Sequence, residues 1–344
     1  MSHREVVVIS GASGGIGRAT AVAFGRQGAR VALIARGRDG LAGARAEIEA
    51  AGGEALVLPT DVADGAQVET AAEAVERLWG PIDIWINDAM ATIFAPVKEI
   101  TPDEYRRATE VTYLGSVYGT MAALKRMLPR DRGTIVQVGS ALAFRAIPLQ
   151  APYCGAKYAL RGFLEALRAE LLHDGKHVHV TAVHLSAFNT PQFDWSRSKL
   201  PRQPQPVPPI FQPEIAAQAI VWAAHHRRRE LWVGWPAVKA IVAAKLLPGA
   251  WLDHYLARTT YRAQQTDEPL APRPGNLFQP VAGDHGAHGR FNARSRERSW
   301  QLPVSEHRLI LLGAALLLGA AALLTGSISA GPLPRSRGGP PSRD

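Results

Sequence analysis

A strand, a glycine-rich turn and a helix open the chain, and this order limits the folds available to it. Residues 5–10 are mostly β-branched and predict a buried strand, and residues 18–27 predict a helix. Between them runs a G-x-x-x-G-x-G motif at Gly11, Gly15 and Gly17. Such glycines let the backbone approach a pyrophosphate, to which the helix N-terminus offers unpaired N–H groups. The stretch predicts a dinucleotide-binding turn, and a plain tight turn is the alternative.

Strand and helix signals then alternate along the chain as far as residue 240. Later strands are predicted at residues 30–35, 55–59, 82–87, 134–138, 177–185 and 231–234. This alternation predicts an α/β fold with a doubly wound parallel sheet. We expect one Rossmann-like domain at residues 1–262. Its last part, residues 236–262, is predicted to be a helical extension that packs on the domain or pairs the subunits of a homo-oligomer.

The end of the second predicted strand indicates which dinucleotide binds. In NAD sites an acidic residue often follows this strand and bonds the ribose 2′-hydroxyl. Here Arg36 follows Ala35, and a guanidinium suits a 2′-phosphate through paired hydrogen bonds. NADP is therefore predicted, with NAD as the alternative cofactor and a solvated Arg36 as the alternative role. Asp61, at the end of the third strand, is placed to accept a hydrogen bond from adenine or to cap the next helix.

A second group of residues predicts proton chemistry. Ser140 stands at a strand end, and Tyr153 and Lys157 lie four residues apart on a predicted helix, hence on one face. An ammonium favours phenolate, so Lys157 is expected to lower the pKa of Tyr153. The Ser140 hydroxyl could hold a substrate oxygen against that phenol. The set suits proton transfer to or from an alcohol or carbonyl, although the Tyr–Lys spacing alone also occurs on packing or solvated faces.

Composition narrows the other classes of function. The net charge is +9, but no basic patch interleaved with aromatic residues appears in the body, so nucleic acid is not an expected partner. The single cysteine, Cys154, excludes an intramolecular disulfide and is expected to be inert. No metal site is predicted, because the histidines at 285 and 288 lack a third ligand nearby. No signal pattern precedes the first strand, so the catalytic domain is expected in the cytoplasm.

Three later segments depart from the strand and helix pattern. Residues 191–213 are rich in proline and predict a lid or substrate loop, with a simple surface excursion as the alternative. Residues 263–306 lack periodicity and predict a flexible linker. Residues 307–328 are apolar and uncharged beyond Arg308, long enough to predict a transmembrane helix that anchors the chain, with an amphipathic or oligomerising helix as the alternative. Residues 329–344 are predicted to be a disordered tail.

Taken together, the motifs resemble those of the short-chain dehydrogenase/reductase family over about residues 4–240. The resemblance implies that Ser140 orients the substrate carbonyl, Tyr153 is the general acid or base, and Lys157 binds the nicotinamide ribose. It also implies the set of residues that contact the cofactor. That set is Gly11, Ser13, Gly15, Ile16, Gly17, Arg36, Asp61, Val62, Asn87, Tyr153, Lys157 and Thr190.

Three positions depart from the family pattern. The usual Asn-Asn-Ala-Gly reads Asn87-Asp88-Ala89-Met90, and the usual Pro-Gly after the sixth strand reads Ser186-Ala187. The family's active-site asparagine, which holds a backbone kink and a relay water, aligns with Thr112. The route by which Lys157 exchanges its proton with water is therefore open.

The predicted activity is an NADP-dependent oxidoreductase that interconverts an alcohol and a ketone or aldehyde. Aromatic and aliphatic residues near the site in sequence suggest an apolar pocket: Phe144, Leu149, Phe188, Phe193 and Trp195. Core packing is the alternative for Phe144 and Leu149, and a membrane tail would suit a lipophilic substrate. Two alternatives remain. One is a non-catalytic dinucleotide-binding scaffold or sensor at a membrane, and the other is an epimerase or dehydratase on the same fold.

Overall fold

The computed structural model describes residues 4–307, and within them seven parallel strands form the central sheet. The strands are β1 Val6–Ser10, β2 Arg30–Ala35, β3 Glu54–Pro59, β4 Ile84–Asn87, β5 Thr134–Ser140, β6 His179–Leu185 and β7 Glu230–Val233. Their spatial order is β7-β6-β5-β4-β1-β2-β3. The order reverses between β1 and β4, and ligands of open α/β sheets bind beyond the carboxyl ends of the strands at such a point.

Helices cover both faces of the sheet. They are α1 Gly15–Gly25, α2 Arg38–Ala50, α3 Gly65–Trp79, α4 Pro102–Thr109, α5 Gly115–Met127, α6 Ala151–His173, α7 Gln192–Trp195, α8 Pro213–His225, α9 Trp235–Leu246, α10 Gly249–Ala263 and α11 Gln301–Glu306. All five residues of β1 are buried; Val7 and Ile9 join one core cluster, whereas Val6 and Val8 join the other. Two covered faces explain why the strands are continuous apolar runs. The predicted α/β fold with a doubly wound sheet is confirmed.

The long helix predicted after residue 101 contains a local widening. α4 begins with a Thr101–Glu104 capping box and leads through one π-helical turn, Glu110–Leu114, into α5. Thr112 lies in this turn and is completely buried. A π turn inside an α-helix often marks a functional site.

The segment after β6 is folded by short pairings rather than extended into solvent. Residues 187–188 pair with 210–211, 197–198 pair with 93–94, and 202–204 pair with 265–269. Arg197 and Lys199 both form ion pairs with the buried Glu104 of α4. The segment is thus fixed beside the carboxyl ends of the strands, where a substrate loop was expected.

A flexible linker was predicted at residues 263–306, but the part up to Leu302 is folded onto the domain. These residues belong to the same unit as the sheet, and the side chains of Leu277, Phe291 and Leu302 are buried. Residues 295–296 pair with 210–211. The apolar residues that anchor this segment are few and irregularly spaced, which is why no periodic pattern revealed them.

The predicted helical extension is present as α9 and α10, interrupted near Pro248. It leaves Leu246, Trp251 and Tyr255 more than half exposed, and subunit pairing stays a prediction. Among residues 4–307, none of the helices is both long enough and apolar enough to cross a membrane. The predicted transmembrane helix at 307–328 and tail at 329–344 lie, after residue 307, outside the described residues.

Candidate active site

The glycine turn lies where β1 and β4 end, and close packing explains its glycines. Gly11 has a φ of +79°, and a Cβ there would lie 2.8 Å from the Ala89 nitrogen. A Cβ on Gly17 would lie 2.4 Å from the carbonyl oxygen of Gly11. The Ser10 hydroxyl accepts the N–H groups of Asp88 and Ala89 at 3.2 and 3.3 Å, which ties the two strand ends together. Nothing larger than glycine fits at Gly11 or Gly17.

The predicted proton-transfer residues come together at the ends of β5 and α6. Ser140 ends β5, and its Oγ accepts the Leu142 N–H at 3.1 Å. Lys157 is buried and donates from Nζ to the Val138 carbonyl at 2.7 Å, so β5 holds the ammonium in place. The same Nζ lies 5.5 Å from the centre of the Tyr153 ring. The strand and the helix thus bring all three side chains to one point.

Burial, and not Lys157, dominates the electrostatics of Tyr153. Burial raises the pKa of Tyr153 above its ordinary value, and a hydrogen bond with the Ser140 side chain opposes this rise. The negative charge of Asp88 raises the pKa of Tyr153 further. The pKa of Tyr153 therefore lies above its ordinary value, because desolvation of the phenolate is the largest effect, and a lowering by Lys157 stays a prediction. Tyr153 carries its proton at neutral pH.

One cavity collects most of the predicted site residues. Those that line it are Gly11, Ser13, Gly15, Ile16, Arg36, Asp61, Val62, Ser140, Tyr153, Lys157 and Thr190. Gly17 does not line this cavity and packs against the carbonyl oxygen of Gly11. Asn87 is buried, accepts the Trp85 indole N–H at 2.9 Å and donates to the Thr120 hydroxyl at 3.0 Å. Its side chain therefore holds β4 against α5.

A match to a known family agrees with this geometry. Residues 5–200 match the family model described as short chain dehydrogenase. The chain belongs to the short-chain dehydrogenase/reductase family. It is accordingly an enzyme, an oxidoreductase of a family that binds NAD(P).

Relatives of this short-chain dehydrogenase include curated proteins and solved structures. It is 32% identical over 321 residues to an uncharacterized oxidoreductase, YxnA, of Bacillus subtilis (strain 168), covering 92% of this chain and 89% of that one. It is 32% identical over 223 residues to the 3-dehydrosphinganine reductase of Danio rerio, covering 62% and 67%. A structure from Sinorhizobium meliloti 1021, provisionally described as a short-chain alcohol dehydrogenase, is 31% identical with a TM-score of 0.52, covering 55% and 74%.

The buried hydroxyl of Thr112 is bonded to the backbone of the loop after β4. It accepts the Ala91 N–H at 2.9 Å and donates to the Ala91 carbonyl at 2.9 Å. The single donor of this hydroxyl is thus used by the loop. Thr112 therefore holds the widened helical turn against the loop after β4.

Asp88 introduces a carboxyl group into this short-chain dehydrogenase cavity. It lies beneath the glycine turn, where its carboxylate accepts the Gly17 N–H, and it faces the charge of Lys157. Burial raises the pKa of Asp88 to about 7, and the Lys157 ammonium and Gly17 N–H oppose the rise. Burial lowers the pKa of Lys157 to about 8, opposed by Asp88. The family's asparagine at this position would carry no charge.

We expect Asp88→Asn to remove a loss of stability between about pH 4 and pH 7. The folded pKa of Asp88 is about 7 and the ordinary value of an aspartate is 3.8, so over this range the folded state holds a proton that the unfolded state has released. Stability from this group is therefore present at low pH and falls as the pH rises towards 7. Thermal unfolding of the cofactor-free protein at several pH values measures the effect.

The control for this prediction is a carboxyl group with the opposite shift. Asp64 caps α3, and its hydrogen bonds with Gln67 and Ala66 lower its pKa. Asp64→Asn should therefore lack a gain in stability that the unaltered protein shows as the pH rises through the acidic range, which is the reverse of Asp88→Asn. Parallel Tm-against-pH curves for Asp88→Asn and the unaltered protein would show that the Asp88 assignment is wrong.

Several cavity residues were missed by the sequence analysis. Asn276, Pro280, Val281, Gly283 and His285 line the cavity from the segment that was predicted to be a linker. Their local sequence gives no signal, since their position depends on contacts with residues far away in the chain. The segment's Gly286 carbonyl accepts the N–H of Gly15 at 3.1 Å. One donor of the glycine turn is therefore already engaged.

The residues proposed as an apolar pocket separate into two groups. Phe188 and Trp195 line the cavity. Leu149 and Phe193 pack in a buried cluster, and Phe144 packs against Ala237 and Ile241.

The single cysteine of the chain is buried. Burial raises the pKa of the Cys154 thiol to about 11, so the thiol stays protonated, in agreement with its expected inertness.

Proposed function

We propose that this enzyme is an NADP-dependent oxidoreductase that interconverts an alcohol and a ketone or aldehyde, with Tyr153 as general acid in reduction and general base in oxidation. The observation that carries the proposal is the meeting of Ser140, Tyr153 and Lys157 on one cavity with the glycine turn. Neither a dinucleotide turn nor a tyrosine beside a lysine would by itself indicate this activity.

Each of the three side chains has a role that follows from its surroundings. The Ser140 hydroxyl, fixed at the end of β5, holds the substrate oxygen near the phenol. Tyr153 gives its proton to that oxygen during reduction, and its protonated state at neutral pH suits this step. Lys157, held by the Val138 carbonyl, places positive charge beside the phenol. The bound nicotinamide supplies or accepts the hydride.

The dinucleotide fits the residues present. A Cβ at Gly11 or Gly17 would meet the backbone of Ala89 or Gly11, so these glycines keep the turn compact. A compact glycine turn before a helix suits close approach by a pyrophosphate. Two guanidinium groups lie close to each other near the end of β2, since Arg36 and Arg107 both donate to the Leu277 carbonyl. Burial, and then the charge of Arg107, lowers the pKa of Arg36. Asp61 forms an ion pair with Arg107. The positive charge at Arg36 favours a 2′-phosphate and hence NADP over NAD.

A ketone or aldehyde with an apolar substituent is the proposed substrate class. Met90, Phe188 and Trp195 contribute apolar surface to the cavity that holds Ser140 and Tyr153. The Danio rerio relative is named as a reductase of 3-dehydrosphinganine, which supports a lipophilic carbonyl compound.

A cofactor-oxidation screen tests the proposed function. The purified protein is incubated with NADPH or NADH and a panel of ketones and aldehydes whose alkyl chains increase in length. We expect NADPH oxidation with kcat/KM rising along the panel, as about 0.8 kcal/mol is gained for each buried CH₂ group. If both cofactors bind and none is oxidised with any carbonyl compound, the scaffold alternative is favoured instead.

A further inference from the structure

The segment from Asn276 to Gly286, here called the strap, crosses the cofactor cavity and is tied down along its length. The Asn276 N–H donates to the Trp195 carbonyl at 2.9 Å, and the Gly283 N–H donates to the Asp39 carboxylate at 2.9 Å. Asp284 forms an ion pair with the buried Arg18. Leu277 is only 1% exposed and packs into a core cluster beside the sheet. These anchors give the strap a defined position on the enzyme.

The strap also holds Arg36 by its backbone. The Nη1 group of Arg36 donates to the carbonyls of Leu277 at 3.3 Å and Phe278 at 2.9 Å, and Nη2 donates to the carbonyl of Asn276. The Leu277 carbonyl also accepts the Arg107 Nε–H at 3.2 Å. Carbonyl oxygens are good partners for a guanidinium, which has five N–H donors in one rigid plane. Three successive carbonyls thus fix the direction of this side chain.

The strap leaves one edge of the Arg36 guanidinium without a bond, and this edge is available to the cofactor. Within the described residues, its Nε–H has no protein acceptor, and the three bonds all come from the Nη atoms. Nη2 carries two N–H groups and gives one of them to the Asn276 carbonyl. Its other N–H and the Nε–H form a fork that matches two oxygens of a phosphate. Arg36 lines the cavity and is half-buried. A free arginine at this position would lose rotamer entropy on binding phosphate, whereas the strap has already ordered it.

We infer that the strap is a specificity-determining part of the cofactor site, in which the carbonyls of residues 276–278 position Arg36 for the ribose 2′-phosphate of NADP. The inference rests on the proposed NADP dependence. It makes Leu277 a positioning residue, since its side chain anchors the carbonyls and does not line the cavity. The preference for NADPH over NADH then depends on a residue 241 positions from Arg36.

Steady-state kinetics with both cofactors test the inference through three variants. Leu277→Ala removes the buried anchor, Arg36→Ala removes the guanidinium, and the double variant removes both. We expect Leu277→Ala to raise the KM for NADPH about 10-fold, with kcat at saturating NADPH and the KM for NADH within twofold of the unaltered enzyme. Losing a charged hydrogen-bond fork should reduce the NADPH preference of Arg36→Ala by about 10- to 100-fold. The double variant should equal Arg36→Ala, because Leu277 acts through Arg36.

The control and the contrary outcomes are equally specific. Leu78→Ala is the matched control, since it makes the same truncation on α3, where the side chain is 60% exposed and does not line the cavity. If Leu277→Ala is unstable, Asp284→Asn loosens the strap at Arg18 without making a core cavity, and it should shift the preference in the same direction. Unchanged preference in these strap variants, or multiplied effects in the double variant, overturns the inference while NADP dependence stands. Equal use of NADPH and NADH by the unaltered enzyme overturns both.

Discussion

A Tyr153→Phe enzyme is expected to bind NADPH normally and to lose turnover by about 10²- to 10⁴-fold, the usual contribution of a positioned general acid or base. Phenylalanine keeps the ring and its position beside the Lys157 ammonium, but it removes the proton that the substrate oxygen receives. The hydrogen bond between Tyr153 and Ser140 is also lost. Binding is measured by NADPH fluorescence titration, and turnover by NADPH oxidation with the best substrate of the panel.

The matched control for Tyr153→Phe lies on the same helix. Tyr158 is 42% exposed and does not line the cavity, so Tyr158→Phe removes a hydroxyl from α6 without touching the site. Its turnover should stay within twofold of that of the unaltered enzyme. A Tyr153→Phe enzyme with full turnover would remove this residue from the mechanism, and loss of turnover in both variants would indicate damage to the helix.

The second large effect is expected at the glycine turn. In Gly17→Ala the new Cβ would lie 2.4 Å from the Gly11 carbonyl oxygen and 2.8 Å from Asp88 Oδ2, so the backbone of the turn must move. Overpacking of this kind costs about 1–3 kcal/mol. Because the strain falls on the backbone that faces the pyrophosphate, we expect the Kd for NADPH to rise by about 10- to 100-fold and the Tm to fall.

Gly162→Ala separates this effect from glycine substitution in general. Gly162 lies on α6, and a Cβ there would meet no atom within 4 Å. Alanine at this exposed helical position should stabilise the protein by about 0.5–1 kcal/mol and leave NADPH binding unchanged. If Gly17→Ala binds NADPH as tightly as the unaltered protein, the turn is not the pyrophosphate site.

Those parts of the site that local sequence governs were predictable. The turn at Gly11 to Gly17 was placed correctly because a strand, glycines and a helix follow one another within a few residues. Tyr153 and Lys157 were assigned to one helical face because their spacing alone determines that. Ser140 was placed at a strand end because a β-branched run stops there. Each inference needed only neighbours in the chain.

Energies that depend on burial were not predictable in the same way. The ammonium of Lys157 was expected to lower the pKa of Tyr153, yet burial of the phenol raises it. Thr112 was identified as a departure, but only the folded chain shows its hydroxyl bonded to the backbone of Ala91. Desolvation and the hydrogen bonds of a group depend on every element that surrounds it. The spacing of residues along one helix does not determine either of them.

The sequence by itself determined the parallel sheet, its glycine turn and the identity of the three side chains at the centre of the cavity. Only the tertiary structure decided that residues 276–286 form a wall of that cavity and that Arg36 donates to their carbonyls. The physical reason is the range of the interactions. Strands, turns and helical faces arise from neighbouring residues, whereas the strap is held by irregular apolar anchors and by carbonyls, which every residue carries, so its side chains do not reveal its place.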